Sequence, residues 1–256
     1  MKFGICNINS VAIRKEPCNT SEMVSQLLFG ETFTIIEFSK KWVNILTAFD
    51  KYEGWVLSNQ FLQLDELQYD DINTNNSYFS NELVTFISNQ NTNLQILTLG
   101  SSLPFYKNNS FKLLDKMFEY DGESRSGKSI KSELVKTAQL YLNTPFLWGG
   151  RTPFGIDCSG FTQMVYKLNG YSLFRDANLQ ATQGEVLSFI EESEAGDLAF
   201  FDNEEGEIDH VGIILANNHI IHCYGKVRID RLDQSGIYNA DVNRHTHKLR
   251  VMKKMF

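Results

Sequence analysis

The sequence predicts an α+β chain, with a small β-barrel first and helices with a β-hairpin last. Three observations carry this. Residues 1–64 hold short β-rich runs separated by turn-like stretches. Residues 132–142, and the run after Cys158, carry apolar side chains at helical spacing. Residues 210–224 hold two strand-like runs, HVGIIL and HIIHCY, joined by an Asn-rich turn.

Composition narrows the class. The 256 residues are 42% hydrophobic and 21% charged, an ordinary globular balance. A net charge of −7 argues against nucleic acid as a partner, because that surface needs a basic face. No run approaches eighteen apolar residues, so no membrane span is expected. The start, MKFGICNINSVAIRKEP, lacks the basic and apolar regions of a signal peptide. With four cysteines, the expectation is a cytoplasmic monomer with reduced thiols.

Within residues 1–64 the expected strands are Val11–Arg14, Thr32–Phe38, Trp42–Leu46 and Gly54–Leu57. Hairpins would close them into a barrel that resembles the SH3-like domains accompanying bacterial wall hydrolases. Residues 65–127 are expected to be a second, degenerate SH3-like domain. Its strands would be LVTFI, LQILTL and LPFYK, and its loops DDINTNNSYFSN and SNQNTN. The polar run EYDGESRSGKS marks a boundary, and residues 128–256 form the last domain. It opens on a helix over Ser132–Leu142, ended by Pro145 and Gly149-Gly150.

Glycines and prolines crowd before Cys158 and an amphipathic run follows it, which places Cys158 in the first turn of a helix. Free N–H groups and the partial positive charge there favour a thiolate, the nucleophilic form of cysteine. A lone cysteine at such a position is more often a packed residue. Asp157 and Ser159, polar on both sides of it, shift the balance toward chemistry.

A nucleophilic thiol needs a base, and His210 and His222 are the candidates. A two-residue loop at Asn217-Asn218 would send them to opposite faces of the hairpin. A three-residue loop, Ala216-Asn217-Asn218, pairs residue 212 with 222 and puts both on one face. That loop requires a left-handed Asn218. His210 then takes the proton from Cys158 and His222 orients His210. His219, His245 and His247 are read as structural, and Cys223 as packed on the opposite strand face. Zinc is disfavoured: spacings of 52 and 12 residues between Cys158, His210 and His222 match no compact zinc pattern.

The motifs WGGRTPFGIDCSGF, GDLAFF, DHVGI and IIHCYGKVRID resemble those of the NlpC-type bacterial cell-wall cysteine peptidases. With the SH3-like part, and with FRDANLQ, the chain resembles the γ-D-glutamyl-L-diamino acid endopeptidases of murein recycling. The resemblance implies a papain-like fold, no cofactor, and Cys158, His210 and His222 as nucleophile, base and orienting residue. The implied substrate is a murein tripeptide or tetrapeptide, L-Ala-γ-D-Glu-diamino acid, with a free amino terminus. Asp157, Ser159, Asp176 and Trp148 fall by the same resemblance at the substrate pocket, and Glu22 and Tyr52 match residues that hold the amine. One position departs from the pattern, since Phe146 stands where the family has a tyrosine. That departure favours a rival reading, a wall-peptide binding module with weak catalysis. A related amidase or acyltransferase would use the same triad.

Overall fold

The computed structural model describes residues 2–75, 78–89 and 94–256. The chain divides into two compact units, Met1–Gly127 and Lys128–Phe256.

Among the described residues, the first unit holds seven antiparallel strands in one sheet. They are β1 (Phe3–Ile5), β2 (Ser10–Arg14), β3 (Met23–Leu28), β4 (Thr32–Ser39), β5 (Trp42–Thr47), β6 (Glu53–Leu57) and β7 (Leu62–Leu64), in the order β3-β2-β6-β5-β4-β1-β7. Four lie where the sequence placed them. The flanking pieces β1, β3 and β7 have no strong alternation and were not foreseen. Next come α1 (Glu66–Asn75), β8 (Tyr78–Ser80), β9 (Val84–Asn89), β10 (Leu94–Thr98), β11 (Ser110–Leu113), β12 (Lys116–Glu119) and β13 (Ser124–Ser126). β9 to β12 form a four-stranded sheet, and β8 pairs with β13.

Two local expectations fail here. DDINTN is helix rather than loop. Asp65 and Gln68 cap α1 reciprocally, each backbone N–H donating to the other's side chain, at 3.1 and 2.8 Å. Asn73, Thr74 and Asn75 then donate to carbonyls one turn back instead of opening a turn. The rest of that stretch includes Asn76 and Ser77, outside the described residues, as are Gln90–Asn93 of SNQNTN. LPFYK is a turn, with Phe105 left-handed at φ 55°, and the strand begins later, at Ser110. One core joins the first 64 residues to the next 63: Ile5, Phe29 and Leu64 pack with Ile72, Ile87, Leu97, Phe111 and Phe118.

The second unit contains α2 (Lys131–Leu140), the short pair β14 (Arg151–Thr152) and β15 (Gly155–Ile156), α3 (Cys158–Leu168) and α4 (Ala177–Gln180). It ends in β16 (Glu185–Leu187), β17 (Leu198–Asp202), β18 (Ile208–Leu215), β19 (His219–Tyr224), β20 (Lys226–Asp233), β21 (Gly236–Asn239) and β22 (Arg244–Lys254). The expected helix over Ser132–Leu142 is α2, whose last residues tighten: Tyr141 and Leu142 donate to carbonyls only three residues back. Strands β17 to β22 pair in succession and β22 pairs back with β17, closing a six-stranded ring. Ala199, Phe201, Ile214, Ile220, Leu232, Ile237 and Met252 fill one core of it. Every residue of α3 is buried, and its polar side chains are satisfied inside, as where Thr162 donates to Gln180 and Gln163 to the Leu173 carbonyl. Among the described residues no helix is long and apolar enough to cross a membrane.

Candidate active site

The strand alternation sets which side chains meet. Gly212 pairs with His222 and Leu215 with His219, so the loop is Ala216-Asn217-Asn218, and Asn218 is left-handed at φ 58°. Asn217 is left-handed as well, at φ 60°. His210 and His222 therefore share the strand face of Ile214 and Ile220. On β20, Asp230 and Arg228 lie in step with Leu232 on the corresponding face. Cys223 points the other way and its thiol donates to the Ile156 carbonyl at 3.1 Å.

Cys158 is the first residue of α3, and Asp157 is the N-cap. The Asp157 Oδ1 accepts the Gly160 N–H at 2.6 Å, and its Oδ2 accepts the Gly149 N–H at 2.8 Å. Gly149 reaches it because it is left-handed, at φ 74°. Gly160 must be glycine for another reason: a Cβ there would lie 2.3 Å from the Gly150 carbonyl oxygen. Arg175 grips the same carboxylate with both ends of its guanidinium, at 3.0 and 2.6 Å, and donates to Ser159 Oγ at 2.9 Å. Gln180, fully buried, donates to the Ser159 carbonyl at 2.9 Å and accepts from Thr162 at 2.7 Å. The stretch FRDANLQ thus locks the first turn of the cysteine helix through Arg175 and Gln180. Neither was singled out from sequence, where attention went to the Asp between them.

Asp157 and Ser159 are both buried and their side chains are taken up by Arg175, so they hold the loop and helix that carry Cys158. Asp176, half-buried, is the N-cap residue of α4 and follows Arg175 directly. Trp148 and Phe146 are exposed beside the Gly149-Gly150 turn. Phe146 is fixed by its backbone, with its N–H donating to the Gly225 carbonyl at 3.0 Å. Glu22 and Tyr52 belong to the first unit. Glu22 is exposed, 3.6 Å from Lys15 Nζ. Tyr52 is half-buried, its backbone tied to Thr47.

Three side chains run in a line. His210 Nε2 lies 2.9 Å from His222 Nδ1, and His222 Nε2 lies 3.0 Å from Asp230 Oδ2. Arg228 donates from Nη2 to Asp230 Oδ1 at 2.8 Å and is itself 2.8 Å from Asp241. The Cys158 thiol reaches the same strand as His210, with the Asp209 carbonyl as a weak acceptor at 3.7 Å. Burial, with the neighbouring His222 and His247, drives His210 well below the ordinary histidine range. Burial also lowers His222, against the pull of Asp230. Burial and the Asp157 charge push the Cys158 thiol up to about 12. Enclosure thus works against the thiolate that the helix N-terminus favours.

His247, read from sequence as structural, joins this cluster. Its ring stacks on His210, with centroids 4.1 Å apart and planes inclined by 27°. Ring nitrogens of His210, His222 and His247 come within 4.8 Å of one another. A metal must lie in the plane of each imidazole it binds, and two stacked planes inclined so little meet far beyond a metal–nitrogen bond. The trio as placed is a stack and a hydrogen bond. His219 and His245 sit apart, bonded to the Asn217 carbonyl and to Asp233.

The model of the NlpC/P60 family matches residues 143–246, which span the Cys158, His210 and His222 positions just described. These residues form an NlpC/P60 domain. A bacterial dipeptidyl-peptidase SH3 domain matches residues 13–61. The chain is 29% identical to a gamma-D-glutamyl-L-lysine dipeptidyl-peptidase of Bacillus subtilis (strain 168), over 80% of this chain and 73% of that one. It is 27% identical to dipeptidyl-peptidase 6 of Lysinibacillus sphaericus, over 89% and 91%. A crystal structure of an NlpC/P60 family protein from Bacillus cereus ATCC 10987 shares the fold, with TM-score 0.82, 18% identity and 99% of each chain covered. The chain is a hydrolase of the cysteine-peptidase class, papain-like in its NlpC/P60 domain and SH3-like at its N-terminal side.

Proposed function

We propose that this protein hydrolyses the amide between γ-D-Glu and the diamino acid in short murein peptides, L-Ala-γ-D-Glu-diamino acid, that carry a free amino terminus. The observation that supports it is the line from His210 through His222 set against a cysteine at a helix start, on a chain whose relatives are named for dipeptidyl-peptidase activity.

In this reading Cys158 gives its proton to His210 as its sulfur attacks the γ-carbonyl carbon. The helix itself leaves the N–H of Cys158 unused, and this group faces the developing oxyanion. His210 hands the proton to the departing amine, the C–N bond breaks, and a thioester remains. Water then attacks the thioester, giving one proton to His210, and the acid and the thiol are released. Asp176 is proposed as the carboxylate for the substrate ammonium group, with Trp148 beside the peptide. A buried ammonium requires such a partner, and that requirement would exclude N-blocked and cross-linked wall.

The test is mass spectrometry of L-Ala-γ-D-Glu-L-Lys and its diaminopimelate counterpart, each free and N-acetylated. Cleavage of the free peptides alone supports the reading, and the faster of the two identifies the diamino acid. Cleavage of the acetylated forms at the same rate would remove the amine-reading role. Conversion of Cys158 to Ala is expected to abolish turnover.

A further inference from the structure

We infer that Asp230 sets the proton positions of both His222 and His210, and so leaves His210 open as a base toward Cys158. The inference rests on the proposed pairing of Cys158 and His210.

The argument follows the hydrogens. An ionised carboxylate only accepts. Asp230 Oδ2 is 3.0 Å from His222 Nε2, so neutral His222 carries its proton on Nε2. Its Nδ1 is then an acceptor. His210 Nε2, 2.9 Å away, must be the donor. Neutral His210 therefore holds its proton on Nε2 and has a lone pair on Nδ1, the ring nitrogen left for the thiol. The opposite arrangement sets a lone pair of His222 against the carboxylate. It also loads His210 Nδ1 with a proton and closes the base.

A histidine as orienting residue is ambiguous by itself, because either nitrogen can donate. Asp230 removes the ambiguity from two rings away. The groups facing it keep it ionised and in place. Burial raises its pKa, but the hydrogen bonds from His222 and Arg228 outweigh this and hold it below the ordinary value. Arg228 Nε lies 2.7 Å from Oδ2, and Nη2 donates to Oδ1 at 2.8 Å. Arg228 is held in turn by Asp241 at 2.8 Å and Asn239 at 3.4 Å. His247 is the remaining titratable neighbour, and burial brings it down to about 4, so it adds no positive charge at neutral pH. When His210 takes the thiol proton, its Nε2–H stays bonded to His222 and no second proton has to move. Asp230 is thus a positioning residue, acting through His222.

The experiment uses the full chain labelled with ¹⁵N-histidine, as wild type, Asp230→Asn and Asp230→Glu. Ring nitrogen shifts report the tautomer of His210 and His222. Alkylation of Cys158, resolved from the other cysteines by peptide mass spectrometry, reports the base without any substrate. Wild type is expected to show Nε2–H on both rings. In Asp230→Asn the side-chain amide can donate to His222, the His210 tautomer changes, and Cys158 alkylation slows at neutral pH. On the cleaved peptide kcat falls about 100-fold or more while KM holds, and Asp230→Glu recovers the tautomer and part of the rate. Wild-type His210 carrying its proton on Nδ1 would overturn the inference, and this needs no variant to fold. An unchanged tautomer and alkylation rate in folded Asp230→Asn would overturn it as well. If wild type leaves the murein peptides intact, the substrate reading falls, while the tautomer and alkylation results still decide the role of Asp230.

Discussion

At the scale of single residues, enclosure sets the chemistry. A helix start lowers a cysteine pKa only where solvent or a cation shares the work, and Cys158 is buried beside the Asp157 carboxylate. Its alkylation rate is therefore expected to keep rising through neutral pH, with no low-pH thiolate plateau. A plateau below pH 6 would mean a resting ion pair. His210, held below the ordinary 6.5, should leave the acid limb of kcat/KM below that value. His247 steadies the ring it stacks on. His247→Ala removes a contact worth about 0.5–1.5 kcal/mol, so a several-fold loss in kcat is expected, with His247→Phe close to wild type. Equal losses in both variants would show that the ring nitrogens of His247, rather than its face, matter. The sequence drew attention to Cys158, His210 and His222 because their neighbours are distinctive. It gave no such signal for His247 or Asp230, whose strands meet the site only through barrel closure and register.

At the scale of elements, the cysteine helix is held from a distance in sequence. Arg175 and Asp157 are 18 residues apart and form a buried, two-pronged pair. Losing one partner strands the other charge, so Arg175→Ala should cost about 3–5 kcal/mol, measured as a shift in the urea midpoint. A loss within the range of surface changes would mean that water replaces the guanidinium. The β18–β19 loop shows what local rules can decide: a short, tight turn with asparagines fixes register, and register fixes which histidines meet. Helix α1 shows a signal present but overlooked. Asp65 and Gln68 spell a capping box, yet the Asn-rich residues after them read as loop because those side chains compete for backbone bonds.

At the scale of the molecule, two buried histidines and the half-buried His247 tie stability to pH. Burial holds His210, His222 and His247 below their unfolded value of 6.5, His247 at about 4. Below 6.5 the unfolded chain takes up protons that the folded chain refuses. Stability is therefore full above about pH 6.5 and falls as pH drops toward 4. Urea midpoints at pH 7.5, 5.5 and 4.5 should decline in that order, and less steeply in His247→Phe. Within the first unit, Ile5, Phe29 and Leu64 pack into a core completed by residues 72–120. Residues 1–64 expressed alone should be much less stable than residues 1–127, by thermal melting, and equal melting would make the barrel self-sufficient. The reading of residues 65–127 as a second SH3-like domain is a proposal that the same pair of fragments examines.

By itself the sequence determined four strands of the first barrel, the helix α2, the helix start at Cys158, and the hairpin register that puts His210 with His222. Each is settled by periodicity or turn chemistry over a few residues, where the physics is local. Tertiary structure alone decided the enclosure of the thiol, the grip of Arg175 on Asp157, the stacking of His247 and the end of the histidine line at Asp230. Those depend on burial and on contacts between elements distant in sequence. Desolvation and hydrogen-bond partners have no period that can be read along the chain.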